Sequence, residues 1–143
     1  MISKLNTQLT TAGASAGFTS TYMAYMDETN FLTRSATYPV LVCIPPNDKL
    51  TTDSIITGYT TEVTLYAIGA TTYGRDDLNL STRATNWKSL KDKLSKTLSY
   101  LHENSANFTL VDRNNINIEY LDLGKVIDNC LTVRATFQVK VNC

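Results

Sequence analysis

Leu131, Val133, Ala135, Phe137, Val139 and Val141 are apolar, and Thr132, Arg134, Thr136, Gln138 and Lys140 between them are polar. Successive side chains of a strand point to opposite faces. Residues 129–141 therefore predict a long strand with one face buried and one wet. The run Tyr38-Pro39-Val40-Leu41-Val42-Cys43-Ile44-Pro45-Pro46 has a different pattern: continuous apolar residues bounded by prolines. That suits a short strand buried on both faces and stopped by the double proline. Residues 57–71 predict another strand, with Tyr59, Val63, Leu65 and Ala67 on one face and Glu62, Thr64 and Tyr66 on the other.

Helical spacing replaces alternation in residues 81–104. Trp87, Leu90, Leu94, Leu98 and Leu101 recur at three- and four-residue steps and form one apolar stripe, while Lys88, Lys91, Lys93 and Lys96 lie off it. Asp92 and Glu103 interrupt the lysines, so that side reads as a solvated face and not as a nucleic-acid patch. Near the start, Ile2, Leu5 and Leu9 predict a short helix, with Ser3 as a cap and an end near Gly13. Residues 13–37 read mainly as Ser/Thr-rich loop. Within them Tyr22, Met23 and Met26 suit either a helical turn or an apolar patch buried by another subunit.

Short strands follow at 108–112 and at Ile116, Ile118 and Tyr120, separated by a turn or bulge at Asn114-Asn115. A turn with Gly124 then sends the last strand back antiparallel to residues 116–121. Strands grouped around one long helix predict an α+β fold. Its mostly antiparallel β-sheet is packed by the long amphipathic helix, with a short N-terminal helix added. Residues 1–143 read as a single domain: an N-terminal helix and extended loop over 1–36, then a sheet-plus-helix core over 37–143.

Composition narrows the function more than the fold. The formal net charge is zero, the pI is near 6.5 and only 18% of residues are charged, so a grip on nucleic acid is not the expected task. No run reaches the roughly 20 apolar residues of a membrane helix, and residues 1–16 lack the pattern of a secretory leader. The three cysteines, Cys43, Cys130 and Cys143, have no CxxC spacing and suggest neither a disulfide framework nor a zinc site.

Candidate chemistry is sparse. The single histidine, His102, falls on the last turn of the long helix, where imidazole complements the helix dipole. His102 with Cys130 is the weak candidate for a nucleophile pair. Asp76-Asp77 next to Arg75 reads as a solvated turn, and the glycines form no phosphate-binding pattern. The eight tyrosines suit core or interface use. No enzymatic activity, cofactor or metal is expected.

Several segments in order resemble a known family. Residues 38–46, with their Tyr-Pro, apolar run and closing prolines, are followed by Glu62-Val63-Thr64-Leu65-Tyr66-Ala67-Ile68. Next come a turn with Asp76, Asp77 and Asn79, the amphipathic helix, Asp122, Gly124, Asp128-Asn129-Cys130, and a last strand stopping at Cys143. This order and spacing resemble the small neck and tail-completion, or tail-terminator-like, virion proteins of tailed bacteriophages. The resemblance covers most of the chain after residue 37.

The resemblance implies a structural protein made in the host bacterial cytoplasm and carried in the virion neck or tail. It implies a homo-oligomeric ring of about six or twelve copies that continues the DNA channel and joins head to tail. Its partners would be itself, the neighbouring portal or neck proteins and tail proteins, with DNA only passing through and no membrane involved. The candidate subunit interface is the polar face of the last strand, Arg134, Gln138 and Lys140, with Glu119, Asp76 or Asp77 as opposite charges. The competing expectation is a small soluble accessory domain that binds a ligand or protein in a cavity lined by Tyr59, Tyr66 and Trp87.

Overall fold

The computed structural model describes residues 2–25, 38–46, 59–70, 80–104, 108–110, 116–122 and 130–141. They form helix α1 (Ile2–Ala16), strands β1 (Ser20–Met23), β2 (Val40–Ile44) and β3 (Tyr59–Ala70), helix α2 (Leu80–Asn104), and strands β4 (Phe108–Leu110), β5 (Asn117–Asp122) and β6 (Cys130–Val141). The strands build one six-stranded sheet in the order β1-β2-β3-β6-β4, with β5 also paired to β6. Only the β1–β2 pair is parallel. The fold is α+β with a mostly antiparallel sheet, as the patterning predicts.

Strands β3 and β6 form the spine, paired without a break from Tyr59↔Val141 to Ala70↔Cys130. On its other side β6 meets two short strands in line: Leu110 opposite Val139, then Asn117 opposite Thr136. One edge of the sheet is thus split.

Both helices lie on one face. The alternating apolar residues of β6 (Leu131, Val133, Ala135, Phe137 and Val139) join Val63, Leu65 and Ala67 of β3 and the stripe Leu90, Leu94, Leu98 and Leu101 of α2 in one core, with Trp87 half-buried against it. Leu5 and Leu9 of α1 and Leu41 and Cys43 of β2 belong to the same cluster. The N-terminal segment is therefore part of this core.

The opposite face corrects the expectation of a wholly wet side. Val40, Val42, Tyr66 and Ile68 make a second buried cluster there, with Tyr22, Tyr38, Ile44 and Leu121 packed against it. Along β6 the polar positions are graded: Thr132 is buried, Arg134 and Thr136 are half-buried, and Gln138 and Lys140 are exposed. Strand β2 is buried on both faces because it carries apolar residues at every position, which is what its unbroken run predicts.

The largest departure from the sequence reading is at the N-terminus. Helix α1 continues past Gly13 to Ala16. Gly17 ends it with φ +103°, a conformation glycine adopts without penalty. The Phe18 N–H donates to Gly13 O at 2.9 Å and the Gly17 N–H to Ala14 O at 3.2 Å, which is the paired closure of a Schellman cap. Gly13 is instead a site of close packing: a Cβ there would lie 2.7 Å from Thr21 Oγ1 and 3.2 Å from Leu41 Cδ2. Residues 20–23, read as loop or helical turn, are strand β1, held parallel to β2 in the register Ser20↔Val40 to Met23↔Cys43. Its period is too short to detect in four residues. Met26 and the remainder of the 13–37 segment beyond Tyr25 lie outside the described residues.

Candidate subunit interface

The candidate residues divide along the helix-free face of the sheet. Tyr66 stands opposite Arg134 in the β3–β6 register, and Glu119 stands opposite Arg134 on β5. Three adjacent strands therefore place three side chains side by side. Arg134 Nε donates to Glu119 Oε1 at 3.2 Å, a second guanidinium nitrogen donates to Glu119 Oε2, and Nη1 donates to the Tyr66 hydroxyl at 3.3 Å. The guanidinium carbon lies 5.9 Å from the Tyr66 ring centroid, within cation–π range. Asn117 Nδ2 also donates to Glu119 Oε1, at 3.2 Å. The hydrogen bonds to Tyr66 and then to Glu119 raise the Arg134 pKa and fix its charge.

Arg134 and Glu119 are thus brought together within one chain, where the sequence reading paired them between neighbours. Fork and carboxylate satisfy each other in the two-pronged geometry that guanidinium favours. Their side chains keep 31% and 37% of their surface exposed, so the pair sits at the boundary between the buried end of this face and the wet end. At the wet end Thr60 faces Lys140 and Glu62 faces Gln138 across β3 and β6, and all four are exposed. This strip carries one positive and one negative side chain. Asp76 and Asp77 lie outside the described residues.

A second surface, missed in the sequence, lies on the helix side. Tyr120 of β5 meets Trp87 of α2 edge-on, with centroids 6.0 Å apart and planes at 64°. The Arg83 guanidinium sits 5.3 Å from the Trp87 ring centroid. Trp87 Nε1 donates to Leu121 O at 3.1 Å, tying helix to edge strand. Along the same flank an open cleft of about 380 Å³ runs between α2 and the split edge, lined by Leu98, Leu110, Ile116 and Ile118 below and Ser95, Ser99, His102 and Glu103 at the rim. Trp87 and Tyr120 are far apart in sequence, and only the β5–β6 register brings β5 beside α2.

The other candidates separate. Trp87 and Tyr66 lie on opposite faces of the sheet, so they do not line a common cavity, and the Tyr59 side chain is outside the described residues. His102 lines the cleft by Leu110, whose β6 partner is Val139; Cys130 opens β6 nine residues away, roughly 30 Å along a strand. The His102–Cys130 pair is not assembled. Cys43 is buried in the core, and burial pushes its thiol up to about 12, leaving it a poor nucleophile. Among the described residues no three His, Cys, Asp or Glu side chains come together as a metal site, and no helix is long and apolar enough to cross a membrane. The chain matches no family model and no curated protein.

Proposed function

We propose that this chain is a structural virion protein of the neck or tail-terminator type, forming a ring that continues a DNA channel between head and tail. The observation that carries the reading is the asymmetry of the sheet. One face is covered by both helices, the other ends in an exposed polar strip, and the two edges differ: β1 is parallel to its neighbour, and the β4/β5 edge is split. A head-to-tail ring needs two unlike surfaces on each subunit, which unlike edges provide. The exposed strip Thr60, Glu62, Gln138 and Lys140 is neutral overall, which suits a surface past which DNA slides without being held. The resemblance of residues 38–143 to neck and tail-completion proteins points the same way.

Light scattering on the size-exclusion eluate of the full chain, followed by negative-stain imaging, tests this. The expected result is a closed ring, either from the chain alone or on addition of portal or tail partners. A chain that stays monomeric with and without those partners overturns the reading. One observation favours a second reading, a small accessory domain that binds a ligand or protein: the cleft beside α2 has an apolar floor and a polar rim, the usual character of a binding pocket. A monomer that binds a small ligand there, with protection of Ile116 and Ile118 amides from exchange, would support it.

A further inference from the structure

One lysine of α2 is set apart from the others. Lys88, Lys91 and Lys96 are exposed, whereas Lys93 is half-buried. A Cβ at Gly17 would lie 3.5 Å from Lys93 Cε, so the lysine stem packs along the C-terminal end of α1. Two carbonyls at that end, Gly13 O and Ala14 O, are already taken by the Phe18 and Gly17 N–H groups. Among the described residues Lys93 Nζ donates to a neutral group, Ser89 Oγ, at 3.4 Å, and has no acidic partner. Asp92, on the same flank, pairs with Lys88 at 3.0 Å. Partial burial strips water from a cation, and one hydroxyl does not replace it.

Two clefts meet at Ser89 and Lys93. One, of about 340 Å³, lies between the end of α1 and α2, where Ala16, Lys88, Asp92 and Lys96 also line it. The other, of about 260 Å³, opens where β2 and β6 begin and β3 ends; Pro39, Leu90 and Leu131 give it apolar walls and Asn86 a polar one. Among its described residues the first cleft sets three lysines against one aspartate, a surplus of two positive charges. Lysine ammoniums are point charges, without the planar fork that matches a carboxylate. Together with the Ser89 hydroxyl they suit a tetrahedral anion.

We infer that the junction at Lys93 binds the terminal phosphate of a small phosphate monoester, whose apolar body occupies the adjoining cleft against Pro39, Leu90 and Leu131. A monoester phosphate carries about −1.5 to −2 near neutral pH, which matches the surplus of the lysine cleft. An internal phosphate of nucleic acid carries a single charge, and a duplex keeps its bases stacked inside, with no apolar body to offer the second cleft. The site does not depend on whether the chain forms a ring.

Phenyl phosphate titrated into the full chain at constant ionic strength, followed by amide chemical shifts, tests this. Saturable binding is expected, with shifts at Gly69, Ser89, Lys93 and Leu131, and tighter than for inorganic phosphate or phenol alone. Lys93→Met keeps the stem against α1 and removes the charge, and should weaken binding roughly tenfold or more. Lys96→Met, at an exposed position, should weaken it less, and serves in its place if circular dichroism shows Lys93→Met unfolded. Lys91→Met changes the net charge equally but lies outside both clefts, so it should bind as the wild type does. Absence of saturable binding overturns the proposal. So does an equal loss in Lys91→Met and the cleft variants, which would mean a general attraction of anions to α2. Inorganic phosphate that binds as tightly as the ester overturns it too, as does duplex DNA that displaces the ester at equal phosphate concentration.

Discussion

Replacing Gly13 by Ala sets two opposing effects of known size against each other. In an exposed helix interior the change stabilises by about 0.8–1.0 kcal/mol, because Gly loses more backbone freedom on folding. Here the new methyl would stand 2.7 Å from Thr21 Oγ1 and 3.2 Å from Leu41 Cδ2. The threonine cannot step aside easily: its χ1 is stiff, and its strand is held to β2 by the Thr21↔Leu41 register. Leu41 is fully buried. Overpacking of this kind costs about 1–3 kcal/mol. The balance favours net destabilisation of about 1 kcal/mol, which lowers the melting temperature by about 3–4 °C in a domain of this size. Urea titrations of Gly13→Ala, Thr21→Ala and the double variant give the coupling directly. With the Thr21 hydroxyl gone, Gly13→Ala should become neutral or stabilising. A wild-type background in which Gly13→Ala alone stabilises by about 1 kcal/mol would show that α1 does not press on β1, and the packing described for the N-terminal segment would be wrong.

Leu94 is fully buried between α2 and the sheet, so Leu94→Ala should cost about 2.7–5 kcal/mol by denaturant titration; a loss below about 0.5 kcal/mol would mean the stripe faces a partner instead. Arg134→Glu should destabilise the monomer by about 1 kcal/mol, since it sets two carboxylates across β5 and β6, and the charge-swapped double variant with Glu119→Arg should recover most of that; equal stability of single and double variants would refute the pairing. Cys43 titrates at about 12 in the fold against 9.0 normally, so its contribution to stability is complete below pH 9 and is lost as pH rises from 9 through about 12; the stability gap between wild type and Cys43→Ala should narrow over that window, and a constant gap would contradict the buried thiol.

The elements with a long period were legible in the sequence. Strand β6 alternates over its whole length and α2 repeats its leucines over about three turns, from Leu90 to Leu101, so each specifies both its type and the face it buries. Strand β2 was legible for the opposite reason, because an unbroken apolar run between prolines leaves no face for water. The misreadings cluster where a local signal competes with tertiary packing. Gly13 looks like a helix stop, since glycine commonly follows a helix end. It is interior because a strand passes too close for any side chain, and that strand is four residues of mixed Ser, Thr, Tyr and Met whose pattern is too short to register.

The site was legible as a list of residues but not as an arrangement, and the reason is register. Alternation places Arg134, Gln138 and Lys140 on one face, and this holds. It does not say which residues stand opposite them. A single-step shift of β5 along β6 would move Glu119 to the helix side and leave Arg134 without its carboxylate. With the observed register the cation is consumed inside the chain by Glu119 and Tyr66, while Lys140, six residues along the same strand, stays exposed opposite Thr60. The two residues are equivalent as sequence and unlike as surface. A docking partner that reads charge on this face would meet Lys140 and Glu62 first, and would have to displace a two-pronged ion pair before it reached Arg134. The pairing that sets Glu119 against Arg134 also turns Tyr120 to the helix side, where its ring meets Trp87 of α2.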